Sequence, residues 1–190
     1  MVINFKQLKG KTIRLLDVGS GTGNSITKKA IKNPNGIYAA VDPAYAGHPV
    51  NPATREFLRP MREAGVVIRG TTIQKYLKTM QKNKIKTRTI NATLPNWKSP
   101  SQNYIHDLIE LAPRVLLPNG RIFMTIERTT FEKASIQREF EFAKIIGFKV
   151  DAINLPSGSH LKTHSANAFN DVYGTSLKLI IFTLKSKIKK

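Results

Sequence analysis

One stretch of the chain constrains its fold more than any other: Leu15-Leu16-Asp17-Val18-Gly19-Ser20-Gly21-Thr22-Gly23-Asn24. Ile13 to Val18 is a short, mostly apolar run that suits a buried strand. Glycine then falls at every second position, where backbone can approach a ligand closely and take dihedrals that other residues resist. A helix follows. Asn24 or Ser25 can cap it, Ile26, Ala30 and Ile31 form its inner face, and Asn33-Pro34-Asn35-Gly36 stops it. Strand, glycine turn and helix open a parallel sheet, whose ligands sit at the carboxyl ends of the strands beside the turn.

The rest of the chain keeps that rhythm. Ile37 to Val41 reads as a second strand closing on Asp42, and a loop rich in Pro, Gly and Ala leads to a helix around 53–64. Val66-Val67-Ile68 is a third strand and Ile73–Gln81 the helix after it. Thr87 to Ala92 is a fourth strand running into Thr93-Leu94-Pro95-Asn96-Trp97. Tyr104 to Leu117 gives a clear helical face, with Ile105, Leu108, Ile109, Ala112 and Leu116 in step. Leu117-Pro118-Asn119-Gly120 turns into a fifth strand, Arg121–Ile126. Phe131–Ile146 reads as helix, and Phe148–Ile153 and Leu177–Leu184 as strands. The expectation is one α/β domain over 1–190, doubly wound and Rossmann-like, with a basic tail at 185–190.

Charge speaks to partners. Thirty-one Lys and Arg stand against 12 Asp and Glu, a formal charge of +19 and a pI near 10.3. Hydrophobic residues make up 41%, enough for a core, so the chain is not a disordered basic tail. Nucleic acid is the obvious counter-charge, with a lysine-rich solubility surface as the plainer reading. From Arg69 to Arg88 there are seven basic residues and no acidic one, which makes Lys82, Lys84, Lys86 and Arg88 candidate phosphate contacts. Cysteine is absent and the four histidines lack ligand spacing, so no metal site is expected. No run approaches bilayer length and no export signal is visible, so a soluble cytoplasmic protein without a membrane partner is expected.

The turn also carries chemistry. Asp17 ends the first strand and Asp42 the second, where Asp42 can accept hydrogen bonds from two ribose hydroxyls. Dinucleotide sites use G-x-G-x-x-G, whereas the spacing here is G-x-G-x-G, with Asn24 where a third glycine would stand. A carboxylate just before the turn suits a cationic amino-acid ligand better than a pyrophosphate.

Leu16-Asp17-Val18-Gly19-Ser20-Gly21-Thr22-Gly23 resembles the first motif of class I S-adenosylmethionine-dependent methyltransferases. Ala39-Ala40-Val41-Asp42 resembles their second motif, and Leu116-Leu117-Pro118-Asn119-Gly120-Arg121 their turn before strand five. The resemblance implies a seven-stranded, mostly parallel sheet with the last strand antiparallel beside strand five, and S-adenosylmethionine as cofactor. By position, Gly19 to Gly23, with Ser20 and Gly21 among them, would pack on the methionine moiety, Asp17 would orient the turn or the amino group, and Asp42 would hold the ribose. Thr71 and Thr72, after strand three, would flank the adenine, where many relatives have Asp. Leu94-Pro95-Asn96-Trp97-Lys98 is similar to the F-P-D-P-W-x-K segment of tRNA guanine-N7 methyltransferases, one residue shorter and with Asn for Asp.

Methyl transfer from a sulfonium is an in-line displacement with an activated donor, so alignment carries most of the acceleration. The substrate side then falls on Asn91, Pro95, Asn96 and Trp97, the sole tryptophan, with Trp97 stacking on a base and Asn96 or Asn91 reading its polar edge. Equally, Trp97 could pack a loop and Asn91 could cap a strand end. The leading expectation is methylation of a base in RNA, in tRNA processing. The alternatives are a small-molecule or protein acceptor, or a non-catalytic nucleic-acid-binding module of the same fold, with a homodimer or an accessory subunit left open.

Overall fold

The computed structural model describes residues 5–20, 23–47, 55–56, 58–93, 104–155 and 177–186. Strands β1 (Thr12–Ile13), β2 (Leu15–Val18), β3 (Tyr38–Val41), β4 (Val67–Arg69), β5 (Lys86–Thr93), β6 (Leu116–Glu127), β7 (Phe148–Asn154) and β8 (Leu177–Leu184) form one sheet. Its order is β4-β3-β2-β5-β6-β8-β7, with β1 beside β5. All pairings are parallel except β8 with β6 and with β7. Every residue of β2 and β3 is buried, as strands in the middle of a sheet covered on both faces must be.

The helices are α1 (Phe5–Leu8), α2 (Asn24–Lys32), α3 (Arg59–Glu63), α4 (Ile73–Lys82), α5 (Tyr104–Leu111), α6 (Arg128–Phe131) and α7 (Ala134–Ile145). On one face, Tyr76, Leu77 and Met80 of α4, Leu108 of α5 and Phe140 of α7 close over Leu16, Ile90, Ile122 and Phe182. On the other, Ile26 and Ala30 of α2 and Met61 of α3 close over Leu15, Tyr38 and Ala40. Leu15 and Leu16 enter different cores because neighbouring strand residues point to opposite faces. No helix among the described residues is long and apolar enough to cross a membrane.

The expected architecture holds, including the antiparallel closing strand, and the differences are local. The first strand breaks at Arg14, so eight strands are counted: β1 pairs with the start of β5 and β2 continues beyond the break. Gly23, with φ 68, occupies the cap position of α2 in place of Asn24 or Ser25. The helix expected to reach Leu117 ends at Leu111, because Pro113 lacks the N–H a further turn would need and a 3-10 turn, Ala112–Arg114, replaces it. The expected turn at 117–120 is absorbed into β6 as an irregularity: the register slips between Thr87 and Thr89, and Asn119 has φ 60. The helix expected over Phe131–Ile146 divides into α6 and α7, and the helix around 53–64 has Arg59–Glu63 as its described length.

One glycine fixes the edge of the crevice. A Cβ on Gly70, just past β4, would lie 2.2 Å from the backbone nitrogen of Ala46 and 2.4 Å from its Cα. That close approach seats the 3-10 turn Pro43–Gly47 against the end of β4. Gly70→Ala should cost about 1–3 kcal/mol through forced displacement of backbone, read as a lower urea midpoint; an unchanged midpoint would mean the turn yields freely.

Candidate active site

The chain runs outward from β2 through β3 to β4, then crosses back to β5 on the other side of β2. This reversal is the switch point where sheets of this kind bind ligands. Asp17 and Asn91 face each other across it in register. Asp17 is 2% exposed, and Asn91 Nδ2 donates to its Oδ1 at 2.8 Å. The second oxygen, Oδ2, is buried with no hydrogen-bond partner among the described residues. Burial pushes the Asp17 carboxyl up to about 6, against the Asn91 hydrogen bond and the attraction of Lys29, with Asp42 adding to the rise. An unsatisfied buried acceptor is costly, and Oδ2 keeps the capacity to accept from a further donor.

The glycine turn is held from several sides. Gly19, with φ 65, donates its N–H to the Val41 carbonyl at 2.9 Å, and the Gly23 N–H donates to the Ser20 carbonyl at 2.8 Å. A Cβ on Gly23 would overlap Met61 Sδ, so that glycine admits α3 as well as shaping the turn. Ser20 Oγ and the Tyr45 hydroxyl, both buried, share a 2.7 Å hydrogen bond that ties the turn after β2 to the turn after β3.

Asp42 ends β3 half-buried. Its N–H donates to the Arg69 carbonyl, and its Oδ1 accepts from the Ala44 N–H at 2.9 Å. On the far side, Thr71 is half-buried and Thr72 caps α4, accepting from the Lys75 N–H at 3.3 Å.

Asp17, Gly19, Ser20, Gly23, Asp42 and Asn91 therefore meet at the carboxyl ends of β2, β3 and β5. Asn91, read from sequence as a group facing the substrate, places its amide on Asp17. Gly21, Pro95, Asn96 and Trp97 lie outside the described residues. The basic group is divided: Lys82 and Lys84 are exposed where α4 meets β5, Lys86 Nζ donates to the Arg114 carbonyl, and exposed Arg88 stands further along β5.

Two tyrosines feel the charge of Asp17 and Asp42 without any signal in sequence spacing. Burial raises the pKa of Tyr45 and of Tyr104 far above the usual phenol range, and Asp42 and Asp17 push both further up. Both stay neutral, so neither adds a negative charge beside the carboxylates.

The sequence matches no family model and no curated protein sequence. Solved structures do match its fold. A 16S rRNA (adenine(1408)-N(1))-methyltransferase from Catenulisporales acidiphilia, solved with S-adenosylmethionine, aligns with a TM-score of 0.64 at 14% identity, over 100% of this chain and 95% of that one. A protein from Streptococcus mutans described as a SAM-dependent methyltransferase aligns at 0.60 and 17% identity, over 93% of this chain and 45% of that one. The chain thus spans less than half the length of that neighbour. The fibrillarin pre-rRNA processing protein of Methanococcus jannaschii aligns at 0.58 and 16% identity, over 95% and 70%. The fold is that of the class I S-adenosylmethionine-dependent methyltransferases.

The raised Asp17 pKa has a signed consequence for stability. The folded state favours the protonated carboxyl, so this contribution is fully present below the unfolded value of 3.8 and is lost as pH rises through about 6. Asp17→Asn removes that loss while its amide oxygen can still accept from Asn91. Relative to the parent, the variant should gain on the order of 2 kcal/mol between pH 4 and pH 7.5. Urea unfolding at the two pH values measures the change, and a difference independent of pH would contradict a strained carboxylate.

Proposed function

We propose that this chain transfers a methyl group from S-adenosylmethionine to a base in RNA. The observation that carries the cofactor is the buried Oδ2 of Asp17, left without a donor among the described residues beside the glycine turn. The residues fit a ligand with an ammonium at one end and a ribose in the middle. Asp17, steadied by Asn91, would take the ammonium; the backbone of Gly19 allows close approach; Asp42 would take the ribose hydroxyls. Thr72 uses its hydroxyl to cap α4, which leaves Thr71 as the hydroxyl for the adenine side. When bound, the cofactor supplies a methyl group already activated by the sulfonium. The protein's part is alignment and the exclusion of water, which suits a ring-nitrogen acceptor, whose lone pair needs no general base.

RNA as the acceptor is supported by the charge of +19 and by the rRNA-directed neighbours. On this reading Trp97 stacks on the target base, with Pro95 and Asn96 shaping its edge. The similarity of Leu94-Pro95-Asn96-Trp97-Lys98 to tRNA guanine-N7 methyltransferases makes tRNA in the cytoplasm the first acceptor to try.

Incubation with methyl-labelled cofactor and total RNA, DNA or cell protein tests the proposal. Label that RNase releases is expected; label only in protein, or none, would overturn it. Asp42→Ala should weaken cofactor binding tenfold or more, through hydrogen bonds to a charged acceptor each worth about 1.5–3 kcal/mol.

A further inference from the structure

A second site lies at the other ends of the same strands. At the amino-terminal ends of β2, β3 and β5 a cavity of about 690 Å3 is lined by Arg14, Lys29 and Arg88, with Asn33, Thr89 and Phe123 among its other walls. No acidic residue lines it. Among the described residues none of the three cations forms an ion pair, although Lys29 attracts the Asp17 carboxylate.

The sheet register makes this arrangement costly in isolation. Thr12 stands opposite Lys86 and Leu16 opposite Ile90, a constant offset of 74 that brings Arg14, at the break between β1 and β2, level with Arg88 on β5. Like charges opposite each other on neighbouring strands repel. Gly36 makes room for the pair's stem: a Cβ there would fall 2.9 Å from Arg14 Cδ. The chain thus gathers two guanidiniums and an ammonium around one cavity with no carboxylate in its described lining, and a polyanion would relieve their repulsion.

Phe123 decides which polyanion. It sits half-buried on the face of β6, in register with Asn91 on β5 and Ile181 on β8, and gives the cavity an aromatic surface amid cations. Alternating phosphates and π-faces are the chemistry of a single nucleic-acid strand, and a base must be unstacked to reach such a ring. We infer that this cavity is a docking site for a single-stranded nucleic-acid segment of one or two nucleotides, with its phosphates on Arg14, Arg88 and Lys29 and a base on Phe123. It opens toward the opposite ends of the strands from Asp17, although Phe123 stands level with Asn91 and Lys29 attracts the Asp17 carboxylate, and its test uses neither cofactor nor methyl transfer. Of the four cations expected from sequence to meet nucleic acid, Arg88 alone lines it.

Fluorescence anisotropy with labelled U8 tests the site, using dT8 and uridine monophosphate as competitors. R14Q/R88Q should lower affinity about tenfold or more and reduce the salt slope by about 1.4, the value for two lost contacts to a single strand. F123L should cost roughly fivefold or more by removing a stacking surface. K82Q/K84Q, away from the cavity, should stay within about twofold. Both arginines are exposed, so R14Q and R88Q should keep or raise the melting temperature, which separates lost binding from lost folding. Competition by dT8 as strong as by unlabelled U8 is expected, because stacking reads no sugar. Unchanged affinity and slope in R14Q/R88Q, an equal loss in K82Q/K84Q, or competition by the mononucleotide as strong as by U8 would overturn the inference.

Discussion

The site depends on a carboxylate held out of water. Asp17 is placed by the last residues of a four-residue strand buried on both faces, and it becomes a partner of Asn91 only because the chain crosses from β4 back to β5 at that point. Ionising it there without a second donor is unfavourable, and its raised pKa expresses that cost. The surrounding features keep the carboxylate in place: Gly19 fastened to β3, Ser20 fastened to Tyr45, and Asp42 closing the adjacent strand. On the proposed reading a ligand carrying an ammonium would relieve that cost, which would link binding affinity to a defect built into the free protein.

Charge is distributed in opposition to that site. The chain is strongly basic overall, yet the crevice presents two carboxylates, Asp17 and Asp42, and tyrosines that burial keeps neutral. The cations gather elsewhere, Arg14, Lys29 and Arg88 around the opposite ends of the strands and Lys75, Lys78 and Lys82 along α4. A cationic cofactor and a polyanionic partner would therefore use different surfaces of one sheet, with Lys29 the residue that influences both.

Much of this was legible in sequence because it is local. The glycine turn, Asp17 and Asp42 each depend on a strand of four or five residues and the turn that ends it, and the charge excess needs only counting. What was not legible arises from register. The contact of Asn91 with Asp17 spans 74 positions, and only the parallel pairing of β2 with β5 puts the amide on the carboxylate. Tyr45 and Ser20 meet through the packing of two turns, and Arg14 comes level with Arg88 through the same offset that aligns β1 with β5. The early end of α5 had a local sign in Pro113, which helical periodicity through Leu116 outweighed.

The most direct measurement is calorimetric titration of S-adenosylhomocysteine into the protein at pH 5, in two buffers of different ionisation enthalpy, repeated with Asp17→Asn. Binding the ligand's ammonium on Asp17 should release about one proton at that pH and almost none at pH 7.5, with affinity rising as pH climbs through about 6. In Asp17→Asn the proton release should vanish and the affinity fall. Tight binding with no proton release at pH 5, unaltered in Asp17→Asn, would contradict the assignment of Asp17 as the group that holds the cofactor.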